Sequence, residues 1–176
     1  MDKNIKKTAD YQVKVHSENL QKKIKIPVGV RGILRRCCIA VLEYEKFGRT
    51  AEINILFVDD VKITELNNTH RGKNEPTDVL SFPLSEEKGV YEINPENGMC
   101  MLGDIVISIE RALFQCREYN HTFQREICYL TVHSMFHLLG YDHEDEGVNA
   151  VIMREKEEEV MQLIGQPRNS TEESIL

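Results

Sequence analysis

The 176-residue chain lacks any run of about eighteen apolar residues, the length a helix needs to cross a bilayer, so its sequence offers no membrane span. The opening MDKNIKKTADYQ has no apolar stretch behind its lysines and does not read as a secretory signal. Paired cysteine motifs are missing too. The five cysteines are an odd number without a CxxC spacing, which argues against a disulfide framework and for a reducing cytoplasm. Cys37, Cys38, Cys116 and Cys128 instead fall on helical apolar patterns, as buried free thiols do. No internal repeat or low-complexity tract divides the chain. A single domain is expected over residues 1–165, followed by a flexible tail over 166–176.

What is present is unevenly charged. The net charge of −7 combines a balance of +6 over residues 1–73 with −13 over 74–176. A basic half on an acidic protein either offers a local positive surface to a polyanion or simply solvates helix faces. Arg31 and Arg35, with Lys22, Lys23, Lys25 and Arg36, would form such a phosphate track.

Hydrophobic spacing predicts strands over 11–18, 52–59, 78–84 and 102–109, the third ending near Pro83 at a sheet edge. It predicts helices over 27–48, from Asp59 or Asp60 through Leu66, and over 109–119, 122–139 and 146–164. Residues 85–101 read as a long loop. Four strands with clustered helices make an α+β domain. The segment from Phe123 to Leu139 is apolar nearly all round, so it should lie buried at the centre.

That central helix carries HSMFHLLGYDH, residues 133–143. Histidines four apart on a helix share one face, so His133 and His137 can grip one ion from a rigid element. Gly140 falls where the helix should end and can turn the chain so that His143 returns over its end. Three imidazoles would leave a fourth tetrahedral position open, the pattern of catalytic rather than structural zinc. Asp142 and Glu144 flank the third histidine and are placed to orient an imidazole. In the HExxH pattern of zinc peptidases a glutamate follows the first histidine and moves the proton; here Ser134 stands there and cannot. A second purposeful stretch is RGKNEPTDVLSFP, residues 71–83. Its Arg71 either caps the preceding helix or pairs with phosphate oxygens near the metal.

In this order and at these separations, PTDVLSFP, LGDIVIS and HSMFHLLGYDH closely resemble the YbeY family of single-strand-specific endoribonucleases and ribosomal RNA maturation factors. The resemblance implies a zincin-like α+β fold: a four-stranded mixed sheet with about five helices around a buried metal-binding helix. It implies Zn²⁺ held by His133, His137 and His143, and catalysis involving Arg71, His133 and His137. It also implies a role in maturing the 3′ end of 16S ribosomal RNA and in ribosome quality control, with single-stranded RNA and the small ribosomal subunit as partners. Lys73, beside Arg71, is expected to share the RNA contact. The family usually has glycine after the first metal histidine, where this chain has Ser134, a residue expected beside the ligands together with Asp142. A zinc peptidase and a non-catalytic ribosome assembly factor with structural zinc are the competing readings.

Overall fold

Alternating β-branched residues make β2 (Ala51–Val58) the strand around which the sheet is ordered. It pairs in parallel with β1 (Val13–Asn19) on one side and with β5 (Cys100–Ser108) on the other. The outer side of β5 is shared by β3 (Val79–Pro83) and the two-residue β4 (Glu92–Ile93), both antiparallel to it. This computed structural model describes residues 12–85, 87–141 and 147–168. The sheet is mixed, with order β1-β2-β5-β3 and β4 attached to β5. It therefore has five strands rather than four. β4 was missed because two exposed residues inside a polar loop leave no alternation to read.

A register shift opposite Glu52 and Ile53 puts one extra residue, Leu102, into β5. This bulge switches side-chain parity. Cys100 and Leu102 before it, and Ile105 and Ile107 after it, all enter the same core. Gly103 occupies the turn of the bulge at φ +139, where a Cβ would overlap the Phe82 carbonyl oxygen and lie 3.1 Å from Leu138 Cδ2.

Helices cover the two sheet faces unequally. Ile53, Ile55 and Phe57 face the large core formed with α1 (Val30–Tyr44) and α4 (Phe123–Leu138). On the opposite face Val58, Leu80 and Val106 meet Ile63 of α2 (Asp60–Arg71) in a smaller cluster. α3 (Ile109–Glu118) and α5 (Val148–Leu163) complete the helices. α4 touches α1, α3, α5, β3 and β5, so the expected central burial is observed. All five cysteines are free and buried. Among the described residues no helix is long and apolar enough to cross a membrane.

Two helix lengths differ from the sequence expectation. α1 is shorter than 27–48 because Gly29, at φ +82, and Lys46, at φ +53, leave the helical region at its ends. α2 runs five residues past Leu66, to Arg71, although its apolar pattern has ended. Asp59 caps its start by accepting from the Lys62 amide, the Thr64 and Thr69 hydroxyls donate back to helix carbonyls, and Gly72 closes it at φ +67.

Candidate metal centre

Helical spacing brings the His133 and His137 side chains together on the face of α4 that meets α5, with the two Nε2 atoms 3.2 Å apart. The opposite nitrogen of each ring is held. His133 Nδ1 lies 2.8 Å from Glu157 Oε1 on α5, and His137 Nδ1 lies 2.8 Å from the carbonyl oxygen of Tyr141. A carbonyl only accepts, and so does a carboxylate, so both Nδ1 atoms carry the proton and both Nε2 atoms turn lone pairs toward the same point. Two ligands of a tetrahedral zinc ion, each about 2.0–2.1 Å from it, sit about 3.3 Å apart. The observed spacing fits that requirement, and such a pair is held together by a bound cation or by one proton shared between the rings.

Glu157 is almost wholly buried, and its other oxygen accepts from the Tyr129 hydroxyl at 3.1 Å. Burial and the neighbouring Glu157 push the Tyr129 phenol well above its ordinary pKa, keeping it a donor. A carboxylate behind the imidazole fixes its orientation. The His137 side is braced differently. Gly140 turns the chain at φ +84, and the Tyr141 hydroxyl donates to Glu45 Oε2 at 2.6 Å. Lys156 binds the other Glu45 oxygen at 2.6 Å, and the Lys88 ammonium sits 3.9 Å from the centre of the Tyr141 ring.

The remaining expected site residues divide into four groups. His143 and Asp142 lie outside the described residues, and among the described residues no group of three His, Cys, Asp or Glu side chains could hold a metal. Ser134 is fully buried, and its Oγ makes no hydrogen bond among the described residues. Arg71 and Lys73 are exposed at the end of α2, on the sheet face opposite α4. From there the segment 72–78 leads toward α4. It is pinned by Asn67, which donates to the Glu75 carbonyl, and by Asp78, which accepts from the Val79 amide and from Gln115. Arg31 and Arg35 are exposed beside β1, and the Arg35 Nε donates to the Val13 carbonyl. The two basic groups thus lie by opposite edges of the sheet, with three strand spacings, about 14 Å, between those edges in the sheet plane alone.

Sequence reading missed Glu157, which sits in the charge-rich MREKEEEV segment. The available signal was its place on the stripe Met153, Glu157, Val160, Met161, the face that α5 buries. It also missed a buried polar cluster at the start of α4. Arg125 donates to His121 Nδ1 at 3.2 Å, leaving the ring proton on Nε2, 2.6 Å from Glu126 Oε2. Burial, with Asp78 nearby, pushes Glu126 up to about 7; burial and Arg125 hold His121 below its ordinary value.

A mixed-sheet α+β domain whose buried central helix presents two converging, second-nitrogen-locked imidazoles defines a protein built around a helix-borne histidine centre. The family model described as Endoribonuclease YbeY matches residues 16–165, and the chain belongs to that family. Proteins named Endoribonuclease YbeY are 47% identical over 149 residues in Thermoanaerobacter sp. (82% of this chain, 92% of the relative) and 44% identical over 160 residues in Clostridium tetani (84% and 95%). A solution structure of TM1509 from Thermotoga maritima aligns with a TM-score of 0.55 at 26% identity, covering 94% of this chain and all of that one.

Proposed function

We propose that this chain is a metal-dependent endoribonuclease that cuts single-stranded RNA during ribosomal RNA maturation. The observation that carries this reading is the 3.2 Å pair of Nε2 atoms with both Nδ1 atoms engaged by acceptors. His133, His137 and His143 are the proposed zinc ligands, in a zincin-like arrangement on one helix and the turn after it. A bound Zn²⁺ supplies Lewis-acid polarisation of a phosphodiester oxygen. Glu157 and the Tyr141 carbonyl keep the imidazoles in the ligating tautomer, so no proton has to be moved before the metal binds. Arg71 and Lys73, exposed at the head of the 72–78 segment, are the proposed phosphate contacts, Arg71 through its planar fork. Arg31 and Arg35 extend contact to more distant nucleotides.

Relatives named as endoribonucleases support RNA over peptide as the substrate. So does position 134, where a buried serine replaces the glutamate that a peptidase needs to move its proton. The physiological setting we propose is maturation of the 16S ribosomal RNA 3′ end and ribosome quality control in the cytoplasm, on the small ribosomal subunit.

Metal analysis of purified protein, paired with cleavage of single-stranded and duplex RNA, tests the proposal. One zinc per chain and cleavage confined to single strands are expected, with both lost in His137→Ala and cleavage alone lost in Arg71→Ala. A folded, metal-free wild type would overturn it, as would cleavage that survives both substitutions.

A further inference from the structure

The loop between β3 and β4 crosses the turn that ends α4. A Cβ on Gly140 would lie 3.0 Å from the Lys88 Cβ and 3.3 Å from its Cα, so the loop packs directly on the turn. From there Lys88 sets its ammonium 3.9 Å from the centre of the Tyr141 ring. The carbonyl of the same tyrosine holds His137 Nδ1, so one residue joins this cation to the histidine pair.

Two ammonium groups face that ring, and they differ in charge balance. Lys156, 5.1 Å from the ring centre, is neutralised by Glu45, whose Oε1 lies 2.6 Å away. Lys88 is exposed and has no carboxylate partner among the described residues. The arrangement recurs at Tyr91 in the same loop. Arg49, from the segment between α1 and β2, lies 5.9 Å from the centre of the Tyr91 ring, exposed and again without a carboxylate partner among the described residues. Phe47 meets the Tyr91 ring at 5.1 Å and fixes it. Lys14, Lys23 and Lys62, by contrast, each lie within 3.3 Å of a carboxylate. An aromatic face orients a cation without cancelling its charge, which a carboxylate does cancel.

The place of these two cations along α4 gives them a role. The segment headed by Arg71 and Lys73 reaches α4 at its start, where Asp78 and Glu126 line one cavity. Lys88 reaches α4 at its other end. Glu126 and Gly140 stand about 21 Å apart along the helix axis, with His133 and His137 between them.

We propose that Lys88 and Arg49 form a phosphate track for single-stranded RNA, on the side of the metal centre away from Arg71. The track rests on the ribonuclease reading and deepens it by holding the strand on both sides of the cut. Backbone phosphate is the ligand that two exposed, oriented and unneutralised cations fit. A stacked base fits less well, because the cations already occupy a face of each ring.

Binding of a single-stranded oligonucleotide to the zinc-loaded full chain, followed by fluorescence anisotropy over a salt series, tests this. Lys88→Gln and Arg49→Gln should each lower the slope of log K against log salt by about 0.7 at unchanged zinc content. Lys88→Arg should keep the wild-type slope, a rescue that a purely structural role would not predict. A slope unchanged in both glutamine variants would overturn the track while leaving the nuclease reading intact. Wild-type protein that binds with these slopes but never cuts would strike the nuclease reading and leave the track standing. The side is read from cleavage of substrates that each carry one neutral methylphosphonate. In the wild type, cutting should slow about threefold at sensitive positions on both sides of the cut. In Lys88→Gln the positions on one side only should become insensitive. Sensitivity lost on both sides, or on neither, would overturn the placement.

Discussion

A histidine proposed as a zinc ligand gains from an acceptor on its second nitrogen, and for His133 that acceptor is a carboxylate brought in from a different helix, Glu157. Removing it takes the carboxylate away from the imidazole N–H and frees the ring to rotate. Glu157→Ala is therefore expected to weaken zinc binding by about 10–100-fold, with Glu157→Gln intermediate. Competition against a chelator measures this, and an unchanged affinity would show that the carboxylate is dispensable. Ser134 presents the opposite case. Among the described residues its buried hydroxyl has no partner, so it contributes desolvation cost without a hydrogen bond. Ser134→Ala should stabilise the fold by about 1 kcal/mol, since alanine removes the polar atom and is the better helix former. A higher urea midpoint at unchanged slope would show it. Ser134→Gly should not share the gain, because glycine costs about 1 kcal/mol relative to alanine in a helix interior. At this scale the histidine pair was legible because both residues sit on one helix at a spacing of four. Glu157 and the His121–Arg125–Glu126 cluster were not, since their roles depend on which helix faces which.

α4 can lie against the sheet only where the sheet lets it approach, and Gly103 is one such point. The bulge that contains it also lets β5 present Cys100, Leu102, Ile105 and Ile107 to the same core. Gly103→Ala would force a Cβ into the Phe82 carbonyl while the backbone holds a left-handed φ. A destabilisation of at least about 3 kcal/mol is expected, and thermal or denaturant unfolding checks it. A loss below about 1 kcal/mol would mean that β3 yields to make room. Elements with a strong apolar period, such as β2, α3, α4 and α5, were legible nearly to their ends. β4, the second half of α2 and the bulge were not. Each is fixed by backbone pairing and by polar side chains bonding to nearby carbonyls, which leave no period in the chain.

Over the whole molecule, an acidic protein is asked to hold a polyanion, and the arrangement of its cations decides how. Arg71 and Lys73 end α2 beside the β3 edge, whereas Arg31 and Arg35 lie beside β1, at the opposite edge of the sheet and on its other face. These two groups of cations therefore occupy separate surfaces rather than one groove. An RNA too short to bridge them can engage only one group, while a longer strand reaches both. For a long single strand, each lost phosphate contact lowers the slope of log K against log salt by about 0.7, so Arg31→Ala with Arg35→Ala should lower it by about 1.4. For an oligonucleotide confined to the histidine side, the same double variant should leave the slope unchanged. Fluorescence anisotropy over a salt series, with a strand of each length, gives both values. Equal losses for the two lengths would place Arg31 and Arg35 at the metal centre itself. No loss for either would mean that these arginines only solvate the face of α1.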